Sequence, residues 1–206
     1  MKAKTHTLAI ASLCALCAVA QAQTTEPTET VQHGLWLSLQ TLPTSYEVEV
    51  EGFGSNEDDF DSATRLALGY RYRRPGNTAF VMSMGLAVTQ EELDGLDING
   101  RGLVFEPGVS FLLAPGFELD LVGMLGFGAS TLEDSDSDID EDGSYAELGL
   151  FLRPGYQFSN GIRLYGDLGV LSRSQSYEID GGTFGELDLD ITSSGLLAGL
   201  GIGYNF

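Results

Sequence analysis

The chain closes on 195-GLLAGLGIGYNF-206, and the spacing of its apolar residues points to the fold. Counted back in steps of two, Phe206, Tyr204, Ile202, Leu200, Ala198 and Leu196 are all apolar. Asn205, Gly203, Gly201, Gly199, Leu197 and Gly195 fill the positions between. A period of two is the signature of a strand with one apolar face. The pattern runs to the last residue, without the polar tail that commonly frays at a terminus.

Seven more stretches repeat the alternation: 34-GLWLSLQTL-42, 64-TRLALGYRYR-73, 78-TAFVMSMGLAV-88, 102-GLVFEPGVSFLLA-114, 117-FELDLVGMLGFGA-129, 145-YAELGLFLRPGYQF-158 and 161-GIRLYGDLGVLS-172. Each is near the roughly 9 to 11 residues that a tilted strand needs to cross a bilayer. Three connections, RRPGN, LAPGF and SNG, are tight turns of proline, glycine and asparagine. The other four are long and acidic: EVEVEGFGSNEDDFDSA, TQEELDGLDINGR, LEDSDSDIDEDGS and YEIDGGTFGELDLD. Turns and loops alternate, so the sequence predicts all four acidic loops at one end and the turns with both termini at the other. An eight-stranded antiparallel up-and-down β-barrel is the expected fold.

Alternation alone also suits a soluble barrel with its apolar phase inward. Several features favour the inverted, transmembrane arrangement. The polar phase mixes arginine and carboxylates with glycine and serine, as in a narrow packed lumen. Aromatic residues crowd the turn end at Tyr70, Tyr72, Phe80, Phe117, Tyr156, Phe158, Tyr204 and Phe206, the composition of an interfacial girdle. Lysine occurs only at Lys2 and Lys4. Closure is then obligatory, because an open sheet edge in hydrocarbon leaves unpaired backbone groups. The last strand is expected to pair with the first, which puts Phe206 at the periplasmic interface. Pro107 and Pro154 fall on the lipid-facing phase and are expected to mark bulges.

The opening residues have the form of a secretory signal peptide: basic MKAK, the apolar run TLAIASLCALCAVA, and AQA before Gln23. Cleavage is expected after Ala22, with 23–32 a short polar periplasmic segment and 33–206 the barrel. Removing 1–22 takes away Cys14, Cys17 and both lysines, and leaves eight arginines against 30 acidic residues, a formal charge of −22. Such acidity argues against nucleic acid as a partner. After residue 22 no apolar stretch nears the ~18 residues of a spanning helix.

Strand parity sends Arg65, Arg71, Arg153 and Arg163 inward with Glu106, Glu118, Asp120, Glu147 and Asp167. An eight-stranded lumen is filled by side chains, and buried charges must pair. A plugging salt-bridge network is the expectation, and a gated ion path the alternative. Arg173 is placed near the loop end, outside this set. His33, just before the first strand, is expected to be a solvated linker residue, and no nucleophile and base stand together, so catalysis is not expected. In the third loop Asp138, Asp140, Asp142 and Gly143 match the first half of a calcium-binding EF-hand loop. Its twelfth position is Gly149 instead of a bidentate carboxylate, so the motif is incomplete. A solvated acidic loop sharing divalent ions with lipopolysaccharide is the stronger expectation. No cofactor is expected, calcium or another divalent cation at this loop being the one candidate.

The terminal strand, with 152-LRPGYQFSNGIRLYGDLGV-170, resembles the small eight-stranded outer-membrane barrels of Gram-negative bacteria, the OmpA/OmpX type, over residues 31–206. That resemblance implies that Tyr204 and Phe206 form the signal read by the barrel-assembly machinery. It also implies a monomer in contact with outer-membrane lipid and lipopolysaccharide. The implied role is structural or surface-interacting. A narrow channel, or a conduit for small hydrophobic molecules as in OmpW-type barrels, is the second reading, and an enzyme the third.

Overall fold

The structure, a computed structural model, describes residues 30–43, 45–50, 54–59, 62–93, 96–134, 140–180 and 186–206. Ten strands form one antiparallel sheet: β1 (Gln32–Thr41), β2 (Ser45–Val50), β3 (Gly54–Asp59), β4 (Ser62–Arg73), β5 (Thr78–Leu93), β6 (Leu96–Ala114), β7 (Phe117–Asp134), β8 (Asp140–Gln157), β9 (Ile162–Asp180) and β10 (Glu186–Asn205). Eight of them, β1 and β4 to β10, close into a ring, sealed where β10 meets β1 from Gly34↔Asn205 to Thr41↔Ala198. The terminal amide of Phe206 donates to the His33 carbonyl at 2.8 Å, so the two ends of the barrel wall meet at the turn end. The closing strand is thus the one with which the chain ends. The turns after β4 and β8 pivot on Gly76 (φ +116°) and Gly161 (φ +86°), a region that side-chain-bearing residues rarely enter.

The outward phase is apolar around the whole ring. Leu35, Leu37 and Leu39 on β1, Leu66 and Leu68 on β4, and Met84, Leu86 and Val88 on β5 are exposed. So are Leu125 and Phe127 on β7, Leu148, Leu150 and Leu152 on β8, and Leu196, Leu200 and Ile202 on β10. Leu196 and Leu200 are about three-quarters exposed, at 75% and 74%, which no water-soluble barrel tolerates in a continuous belt. From Leu103 to Leu113 on β6 the belt covers roughly 25 Å along the barrel axis, at about 3.3 Å per residue and the usual strand tilt. That is the height of the apolar band of a transmembrane barrel. Among the described residues no helix is long and apolar enough to cross a membrane, which says nothing of strands.

The loops differ from expectation. Three of the four acidic segments are mostly strand, since β5 runs on to Leu93, β7 to Asp134 and β9 to Asp180. The first holds the β2–β3 hairpin, whose β2 pairs with β10 from Ser193↔Tyr46 to Leu189↔Val50, above the point where β1 stops. The physical reason lies in the acidic segments themselves: they alternate too, with the phase inverted. Gln90, Glu92, Asn99, Glu133, Ser174, Ser176, Glu178, Asp188 and Asp190 face outward and are exposed. Ile98, Leu132, Tyr177, Leu189 and Ile191 face inward with Tyr46 and form a second apolar core. Below the boundary the wall meets lipid outside and charge inside; above it, water outside and a dry core inside.

Three smaller expectations are also corrected. Neither proline sits at a bulge. Pro107 pairs with Met82, Pro154 pairs with Leu119, and the pairing on the other side resumes in unchanged register after a short gap. The one register shift among the described residues lies between Leu112 and Ala114, near the tight turn. His33 is not a solvated linker: it lies in β1, half-buried, with its ring hydrogen-bonded to the Tyr70 hydroxyl and edge-on to Tyr72. Tyr156 is buried, packing edge-on against Phe158 at 4.9 Å, and so leaves the girdle that Phe80, Tyr204 and Phe206 expose.

Candidate functional site

The lumen between the turns and the upper apolar core is a stack of ion pairs. All nine side chains expected there are buried in it: Arg65, Arg71, Arg153, Arg163, Glu106, Glu118, Asp120, Glu147 and Asp167. Three more join them, Arg73, Glu91 and Arg173, each at most 1% exposed. Six arginines therefore meet six carboxylates. Among the described residues these buried charges balance, while the remaining two arginines, Arg74 and Arg101, are exposed.

The network has three tiers. Nearest the turns, Glu118 and Asp120 on β7 are clasped by Arg71, Arg73 and Arg163. Arg163 Nη2 donates to Asp120 at 2.8 Å, Arg71 Nη2 to the same oxygen at 3.1 Å, and Arg73 Nε lies 3.0 Å from Glu118. Arg73 also donates to the Gly76 carbonyl at 3.0 Å, which ties the plug to the turn. In the middle, Arg153 takes Glu106 in a fork, at 3.0 and 3.2 Å, and donates from Nε to Asp167 at 2.6 Å. Bidentate pairing of this kind is the strong form of a charged hydrogen bond. Its guanidinium lies against the rings of Tyr165 and Phe151, at 4.8 and 5.0 Å. Gln40 links this tier upward, donating to Asp167 at 2.8 Å and accepting from Arg65 at 3.1 Å.

The top tier is looser. Arg173 donates to Glu91 and, at 2.7 Å, to Thr89, and it stacks on the Tyr145 ring at 4.4 Å. Glu147 sits between Arg173 at 3.6 Å and Arg65 at 3.8 Å, and neither of its oxygens accepts a hydrogen bond from a described residue. Backbone shape makes room for these chains. A Cβ at Gly126 would lie 2.6 Å from a Glu147 oxygen, and one at Gly155 within 2.9 Å of the Arg163 guanidinium. The inward glycines are the sockets of the plug. Above the apolar belt, burial pushes the Glu91 carboxyl up, against the pull of Arg173, and burial likewise raises the Tyr177 phenol.

Arg73, Arg173 and Glu91 were legible by parity alone, since they share the inward phase with Arg71, Leu171 and Thr89. They fall inside segments whose composition suggests a turn or a loop, and that masks the signal. Arg173, expected near the loop end and outside the network, is instead one of its anchors. Tyr204 and Phe206 lie on the outer face at the turn end, ring centroids 6.4 Å apart. The calcium motif is not assembled among the described residues. Asp138 lies outside them, whereas Asp140 and Asp142 belong to β8, opposite Glu133 and Thr131. The proposed cleavage site after Ala22 also lies outside the described residues.

No family model matches the chain. No curated protein matches it either. Several solved structures are similar. The outer membrane protein OprG from Pseudomonas aeruginosa shares 13% identity over 87% of this chain and 98% of that one, with a TM-score of 0.49. The attachment invasion locus protein Ail of Yersinia pestis, in complex with the heparin analogue sucrose octasulfate, gives 14%, 86%, 99% and 0.46. Neisserial surface protein A gives 11%, 84%, 97% and 0.45. The architecture itself rests on the strand register and the burial pattern: a closed ring, apolar outside and charged within, is that of the small outer-membrane barrels.

Proposed function

We propose that this chain is an outer-membrane protein of structural or surface-interacting role, its acidic end outside the cell and its tight turns in the periplasm. One observation carries the reading: a continuous external apolar belt encloses a charge-balanced, side-chain-filled lumen. An interior built this way holds a wall together and leaves little room for a water column. The strongly acidic rim then presents the surface that other molecules meet. In this reading a signal peptide cleaved after Ala22 delivers the chain, which works as a monomer among lipid and lipopolysaccharide, without nucleic acid, cofactor or catalytic centre. The narrow-channel alternative draws on the top tier, where Glu147 is held by attraction across 3.6 and 3.8 Å rather than by hydrogen bonds.

Planar-bilayer recording separates the two, and the plugged barrel should show no large steady conductance. Steady channels in the wild type would overturn the structural reading. A broad-specificity protease added to intact cells should cut between Asp134 and Asp140 or between Asp180 and Glu186, the connections of the acidic end. Cutting at the RRPGN turn, with those connections spared, would reverse the orientation.

The ending supplies another expected outcome. Phe206 is two-thirds exposed at the interface and its amide holds the seam to β1, so Phe206→Asp places a charge at the proposed assembly signal. That variant should vanish from the outer-membrane fraction, whereas Phe206→Tyr keeps an amphipathic ring and should remain. Immunoblots of separated membranes that show wild-type levels of Phe206→Asp would remove the signal role.

A further inference from the structure

Six of the eight mature-chain arginines are sealed in the lumen, and the other two stand outside: Arg74 in the turn after β4, and Arg101 on the outer face of β6. Arg101 sits at the row where that face changes character. Two residues toward the turns, Leu103 is apolar and half exposed; two residues the other way, Asn99 is polar and exposed. Its cross-strand neighbours are Val88 on β5 and Ala129 on β7. The diagonal ones are Leu86 and Gln90, and Phe127 and Thr131. None is charged, and Arg101 makes no ion pair or hydrogen bond with any described residue. A groove of about 430 Å³ opens beside it, lined by Val88, Asn99, Gly100, Ser130, Thr131 and, four residues above the Arg101 row, Glu133.

A guanidinium at the edge of an apolar belt, without a protein partner, has its donors free for an anion. Its planar fork suits a phosphate in particular. The surface on either side suits the rest of a lipid. Below, Leu103, Leu86 and Phe127 are 50%, 65% and 58% exposed and offer rungs for an acyl chain. Above, Asn99, Gln90 and Thr131 offer amide and hydroxyl groups to a polar head. The first carboxylates on that face, Glu92, Asp97 and Glu133, lie opposite one another in a single row. Asp97 is four residues from Arg101, roughly 13 Å along the strand and beyond the Debye length of about 8 Å. They repel an anion that climbs higher, Glu133 from the upper end of the same groove, and so fix its depth at the Arg101 row.

We propose that Arg101 anchors a site for a phosphorylated lipid, with the phosphate on the guanidinium, the polar head across Asn99, Gln90 and Thr131, and an acyl chain along Leu103, Leu86 and Phe127. The site follows from the belt and its edge; only the choice of leaflet rests on the outer-membrane reading above.

Native mass spectrometry of the purified full chain in mild detergent, titrated separately with lipid A and with phosphatidylglycerol, tests it. One lipid should be retained per barrel, and Arg101→Gln should weaken retention about tenfold, the loss of one charge-assisted contact. Arg101→Lys should restore most of it, and Arg74→Gln should leave it unchanged. Preference for lipid A assigns the site to lipopolysaccharide, and preference for phosphatidylglycerol assigns it to a phospholipid; either supports the site. Equal retention by wild type and Arg101→Gln, or an equal loss in Arg74→Gln, overturns it. Because cell location does not enter this titration, failure here leaves the outer-membrane reading to its own fractionation test.

Discussion

Arg153→Ala should lower the unfolding free energy by about 3 to 5 kcal/mol, the cost of leaving buried charge without its partner. The expectation is specific to the geometry. Arg153 is the only cation within salt-bridge distance of either Glu106 or Asp167 among the described residues, and both carboxylates are buried. Truncation strands two charges in a ring that water enters poorly. Asp167 keeps its bond from Gln40, while Glu106 keeps nothing of comparable strength. Arg74→Ala, exposed in the turn, should change stability by no more than about 0.5 kcal/mol. Combining Arg153→Ala with Asp167→Asn should recover part of the loss, since one stranded charge is removed, and a double-mutant cycle measures that coupling. Urea unfolding of the refolded barrel in detergent gives the comparison. If Arg153→Ala unfolds at the same midpoint as Arg74→Ala, the network does not hold the barrel together.

Arg173→Ala belongs with Arg153→Ala rather than with the control, and the reason shows how far the sequence reaches. Within the belt, parity is enough: apolar residues at every second position push arginine and carboxylate to the lumen, and all nine side chains expected there are found there. Beyond the belt the same parity continues, but the environment on each side has changed. Outward positions become aspartate, glutamate and serine, and inward positions become Ile98, Leu132, Tyr177 and Leu189. A stretch such as 186-ELDLDI-191 therefore has the composition of a loop and the periodicity of a strand. Composition hid three network members and the upward extension of six strands. The β2–β3 hairpin was hidden for another reason: β2 is short, and its partner is the exposed upper edge of β10, about 140 residues away in sequence.

That inversion sets up the second large effect. Met84 lies midway in the outward series Phe80, Met82, Met84, Leu86 and Val88 of β5, and about half of it is exposed. On a soluble barrel, Met84→Arg would put a charge into water and cost almost nothing. On a wall that faces lipid it should cost about 2 to 4 kcal/mol at the bilayer midplane. Gln90→Arg, on the same face three outward positions higher, should cost about 0 to 1 kcal/mol, since it emerges near the interface. Its neighbours there are Glu92 on the same strand and Arg101 and Asp97 diagonally across, so the new charge meets both signs. The inward face reverses the order. Ile98, fully buried in the upper core, should not accept arginine although its end of the barrel is wet outside, because the charge would enter the apolar cluster with Tyr177 and Leu132. Refolding titrations in lipid vesicles compare the three variants directly. Tolerance of Met84→Arg equal to that of Gln90→Arg would mean that the belt does not meet hydrocarbon. Tolerance of Ile98→Arg would mean that the upper strands enclose water rather than a dry core, and the plug would then end at Glu147.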